Sequence, residues 1–138
     1  MRNITAHIVR WILGGLFYGL LEILYRGYTD WTMVGLSMFL CIPLDIANNH
    51  IPWDYPLILQ SIIGGTVVTV AEFVIGLILN VWLGLHIWDY SNLPSNLMGQ
   101  ICLQFYILWC FLSGFAIVLF DYMDYWFCIG DKPHYKIA

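Results

Sequence analysis

Charge is what this sequence has least of. Lys, Arg, Asp and Glu make up 10% of its 138 residues, five basic against nine acidic, where an ordinary soluble domain carries about 25%. So few charges cannot cover a surface that faces water. The apolar side chains must face another medium, and a lipid bilayer is the plain candidate. A cluster of Lys and Arg is also missing, which argues against a nucleic-acid partner and against a polybasic grip on anionic lipid. Cys41, Cys102, Cys110 and Cys128 form no CxxC pair and have no His at a zinc-ligand spacing. They read as small apolar packing residues, and no metal or cofactor is expected. P-loop, HExxH and GxSxG motifs are absent from the sequence, so any ATP dependence would need a separate subunit.

What is abundant is apolar surface, at 61% of residues and a mean hydropathy of +0.77. It falls into four runs, near 4–25, 31–47, 57–85 and 97–120. They predict an all-α polytopic membrane bundle of about four transmembrane helices in a single integral membrane domain. Arg2 and Arg10 ahead of an apolar run hint at a signal peptide. Yet that run contains Glu22, ends in Tyr25-Arg26 and lacks a small-residue cleavage site, so it reads as a retained first span. Arg10 lies near the end of that span, where a long side chain can snorkel to the headgroups. The second run is short for a bilayer. Pro43 and Asp45 sit in its final turns, so a break, a tilt or a re-entrant turn is expected there. Trp31, Trp53, Tyr55, Trp88, Tyr90, Tyr122, Tyr125 and Trp126 fall near span ends, as aromatic belts do. With four spans, Arg2, Arg10, Lys132 and Lys136 share one side and Arg26 stands alone on the other. The positive-inside rule then puts both termini in the cytoplasm.

Gly14-Gly15 precedes Glu22 by the same spacing with which Gly64-Gly65 precedes Glu72. A parallel two-helix repeat would produce this echo, and so would chance, because Gly is common in membrane helices. Glu72 is the leading candidate for chemistry, since an ionised carboxylate in mid-span is expensive. Ser61, Gly65, Thr69, Glu72, Gly76 and Asn80 recur at steps of three or four and so share one helical face. That face either lines a path or glues helices together. Glu22 and Arg26 form a favourable i, i+4 pair, structural or functional. Arg26 could instead face Glu72 or a headgroup.

In the polar link from His86 to Asn96, Asn or Ser could cap the fourth helix and Pro94 could sit in its first turn. His86, Asp89 and Tyr90 could instead exchange protons or hold a cation at a membrane mouth. Asn96, Gln100 and Gln104 would share a face of the fourth helix as an amide stripe. The binding or proton-linked candidates are therefore Glu22, Arg26, Glu72, Asp89, Tyr90, Asn96 and Gln100. No catalytic residue is assigned.

Glu22 with Arg26, Pro56-Leu57, Gly64-Gly65 with Glu72, Trp88-Asp89-Tyr90-Ser91, Asn96, Gly99-Gln100 and Trp109 together resemble a bacterial family, the CmpB-like ABC-transporter type IV membrane proteins. The resemblance runs from about Gly19 to Trp109, and its most specific part is the Trp-Asp-Tyr-Ser segment with Asn96 and Gly99. It implies a multi-pass protein of the bacterial inner membrane and says little about activity. Three readings follow. The first is a small transport or permeation component with proton- or cation-linked carboxylates, acting on an unknown ion or small molecule. The second is an integral-membrane enzyme acting on a lipid or isoprenoid through Glu72, Asp89 and Tyr90. The third is a non-catalytic membrane partner subunit. The transport reading leads, and the balance is against an enzyme. So small a bundle suggests a homodimer or a larger complex.

Overall fold

Helices form where the apolar runs are, and the polar links stop them. A computed structural model describes residues 4–138. In it α1 spans Ile4–Arg26, α2 Trp31–Asn48, α3 Leu57–Gly76 and α4 Leu103–Trp126. A π-helical stretch, Leu77–Trp82, continues α3. With that stretch counted into α3, all four helices are long and apolar enough to cross a membrane. The protein is a membrane helical bundle, and among the described residues its one sheet is the two-stranded hairpin of β1 (Asn96–Leu97) and β2 (Ile101–Cys102). Arg2, part of the charge sorting above, lies outside the described residues.

The ends have local causes. Gly27 takes φ +82° and its amide bonds the Ile23 carbonyl at 2.7 Å; a residue with no Cβ adopts that backbone without strain and stops the helix. Asp30 then caps α2 by accepting from the Thr32 amide at 2.8 Å. α2 runs through Pro43 to Asn48 without the expected break, its last turns held by Leu40 and Leu44 in the core. α3 begins after Pro56, which has no side-chain cap. The C-terminal tail supplies one instead: the carbonyls of Lys136 and Ile137 accept from the amides of Leu57 at 2.6 Å and Ile58 at 3.4 Å.

α4 starts at Leu103 rather than 97. Asn96 explains the delay. Its side chain donates to the Leu93 carbonyl at 2.8 Å and accepts from the Gly99 amide at 3.0 Å, and this closes a hairpin where a helix was expected. Gly99 sits at φ +69°, and a Cβ there would lie 2.7 Å from Asp89 Oδ1. Pro94 is therefore in the turn before the hairpin and not in a helix.

α1 lies mainly against α2 and α3 against α4, and α2 joins the pairs through α3. Each glycine pair serves the helix that follows it: Gly15 meets Val34 and Met38 of α2, and Gly65 meets the Cys110 backbone of α4. The core is Leu40, Leu44, Val68, Trp109, Ile117 and Phe120. Trp31, Trp82 and Trp126 are 82%, 80% and 63% exposed at helix ends, as belt residues are. Trp53, Trp88 and Tyr90 depart from that expectation: each directs its polar atom inward.

Candidate functional site

Glu72 is 2% exposed and faces the bundle interior from α3. Its Oε2 accepts from Trp109 Nε1 of α4 at 2.9 Å and its Oε1 from the Tyr90 hydroxyl at 3.1 Å. Both donors are neutral, and among the described residues no basic side chain pairs with the carboxylate. Tyr90 reaches it because the link after the π-helical stretch folds back over the bundle, where its ring stacks on Phe105 at 4.6 Å. Beside Trp109 stands Tyr18 of α1, stacked at 5.8 Å, its hydroxyl within electrostatic reach of both Glu22 and Glu72.

Glu22 has its own cation. Arg26 pairs with it one turn on, and Thr29 donates to its other oxygen at 3.1 Å. Arg26 thus faces Glu22 rather than Glu72 and lies 4.8 Å from the Tyr28 ring. The two glutamates of the sequence echo have different partners, one a guanidinium and the other neutral donors.

The remaining candidates hold the link in place. Asn80 donates to Gln100 Oε1 at 2.8 Å and accepts from the Ile87 amide at 2.8 Å. Trp88 donates to the Gln100 carbonyl at 3.0 Å. These buried amides join the end of the third span to the hairpin. Asp89 is exposed and accepts from the hydroxyl and amide of Ser91, and these bonds hold its carboxyl below the ordinary aspartate range. The structure brings Glu72 and Tyr90 together and leaves Asp89 apart from them. Gln104 is exposed while Gln100 is buried, so the hairpin dissolves the expected amide stripe. On α3, Ser61 and Thr69 bond the carbonyls of Leu57 and Gly65 one turn back.

A second polar cluster, at the opposite end of the helices, escaped the sequence reading. Arg10 does not snorkel: it is 2% exposed, donates to Asp124 at 2.5 Å and lies 3.5 Å from Asp45. His7 Nδ1 is 2.6 Å from both Asp45 and Arg10, and Trp11 donates to Asp45 at 3.0 Å. Next to them Asp121 accepts from Asn48, Trp53 and Tyr135 at 2.7, 3.0 and 2.6 Å. Burial and the Asp121 carboxylate push the Tyr135 hydroxyl up, keeping it a donor. The available signal was a charge inside each of two apolar runs, Arg10 and Asp45, with Asp121 and Asp124 just past the end of another. Among the described residues no group of three His, Cys, Asp or Glu side chains is placed to hold a metal ion.

Where α1 and α4 touch little, a groove of about 1020 Å³ opens between them. Its lining is almost wholly apolar, with Tyr18 and Trp109 in its wall. The Ser113 hydroxyl in that wall is buried and has no hydrogen-bond partner.

No curated protein matches this chain, and no solved structure does. A family profile matches residues 9–129, a segment that contains Glu72 with its two donors, the hairpin, and the second polar cluster except His7 and Tyr135. The chain belongs to the family described as "Putative ABC-transporter type IV".

Proposed function

We propose that the protein is a transport component of the bacterial inner membrane, with Glu72 as its proton- or cation-linked group. The observation that carries this reading is a buried carboxylate bonded by two neutral donors, with no cation paired to it among the described residues. An acid of that kind inside a membrane bundle is expensive, and where one persists it commonly serves translocation. Glu22, neutralised by Arg26, is the contrast. The enzyme reading loses support because Asp89 is committed to Ser91 at the surface. The positive-inside rule places both termini in the cytoplasm.

The test uses protein reconstituted in liposomes that enclose a pH-sensitive dye, with valinomycin and potassium setting the potential. Wild type is expected to pass protons, and Glu72→Gln to pass at least tenfold fewer while retaining its melting temperature in detergent. Equal flux in the folded variant removes Glu72 from the mechanism. A silent wild type overturns transport by this chain alone and favours the partner-subunit reading.

A further inference from the structure

We infer that the groove between α1 and α4 is a binding site for a lipophilic organic cation, held over Tyr18 and Trp109 in front of Glu72. The inference deepens the transport reading by naming its substrate class, and it rests on that reading only for the step of translocation.

Three features of the groove converge. Its lining is apolar along Phe17, Leu21, Leu40 and Phe115, and its volume of about 1020 Å³ is at the upper end of the range for sites that hold drug-sized molecules. A guest must therefore be greasy, and it can arrive sideways from the bilayer, because α1 and α4 do not close over it.

The aromatic pair in the wall gives the second feature. Tyr18 and Trp109 both line the groove and stack on one another. Aromatic rings attract cations through their negative faces, Trp most strongly, and the attraction grows where water is excluded.

Charge behind that wall is the third feature. The indole N–H of Trp109 donates to Glu72, and Tyr18 is within electrostatic reach of the same carboxylate. Glu22, also near Tyr18, is already matched by Arg26. When Glu72 is ionised, one negative charge with no cation beside it among the described residues sits behind an aromatic wall that faces an apolar groove. A neutral lipid chain would fill the space and leave that charge unanswered. A hydrophobic anion would be repelled by it. The exposed side chains of a second copy of α1 or α4 are mainly apolar, and the cation such a copy exposes, Arg26, is already paired with Glu22.

Tetraphenylphosphonium is the probe, measured by equilibrium dialysis against detergent-purified protein. Wild type is expected to bind it saturably and to bind tetraphenylborate, of like shape and opposite charge, at least tenfold more weakly. Glu72→Gln should lower the affinity for the cation tenfold or more. Tyr18→Leu, which keeps the carboxylate, should lower it severalfold and preserves the test if Glu72→Gln fails to fold. Equal binding of cation and anion, or full affinity in folded Glu72→Gln, makes the groove a general lipid slot and overturns the inference. Failure to bind either ion also overturns it, and a dimer in light scattering would then identify a second copy as the occupant. Cation binding without proton flux removes the transport reading and leaves this site standing; flux without cation binding does the reverse.

Discussion

Arg10 illustrates how a residue's role depends on partners far away in the chain. Its guanidinium meets Asp45 and Asp124, brought to it by α2 and α4. Removing one member of such a buried pair leaves uncompensated charge and costs about 3–5 kcal/mol. Arg10→Leu is expected to lower stability by that order in denaturant titration, and Arg10→Leu with Asp45→Leu by less than the two single losses added together. An additive double variant would show that the pair is not coupled. Glu72 was legible in the sequence because a lone acid amid Val and Ile cannot be mistaken. Its donors were not, since Tyr90 and Trp109 stand 18 and 37 residues away and nothing in the spacing joins them. Arg10 was misread for the same reason, because snorkelling is a local rule and the ion pairs are tertiary.

At the scale of elements, small residues decide how closely helices approach. A Cβ on Gly65 would lie 2.6 Å from the Cα of Cys110, a backbone atom that cannot move aside. Gly65→Ala is expected to push α3 from α4 and cost about 1–3 kcal/mol, as overpacking does. Gly35 meets nothing within 4 Å, so Gly35→Ala should instead raise the melting temperature, helix entropy being the only change. Comparing the two by thermal unfolding checks the α3–α4 contact directly. The Asp89 turn has a pH signature. Its carboxyl titrates lower in the folded protein than unfolded, so its contribution is present above the ordinary aspartate range and is lost as pH falls through the depressed folded value. The Ser91 amide resonance is expected to move over that interval, and to be insensitive there in Asp89→Asn. The start of α4 was not legible, because the apolar run from Leu97 resembles a helix. The hairpin depends on side-chain bonds of Asn96 that hydropathy does not register.

For the whole molecule, composition was enough to predict a four-helix membrane bundle, because length and apolarity are additive properties of a sequence. Which helices pair, and where a gap remains, depends on side-chain fit. The groove was therefore invisible until the helices were assembled. Orientation can be tested with a residue already present: Cys128 is exposed, while Cys102 is buried and Cys41 and Cys110 are half-buried within helices. A membrane-impermeant maleimide is expected to label inside-out vesicles and spare intact spheroplasts, and the opposite pattern reverses the topology.

Between the two polar clusters lie Leu40, Leu44, Val68, Ile117 and Phe120, with Ile117 and Phe120 fully buried. In electrical terms this layer is an insulator between two conductors. Where water or mobile protons wet the ends, a membrane potential falls across the insulator and not evenly over the whole bilayer. A unit charge passing from the Glu72 end to the Asp45 end would then traverse most of the voltage, worth about 2.3 kcal/mol per 100 mV. The depth of this apolar layer would set how steeply such a movement responds to the energised state of the cell.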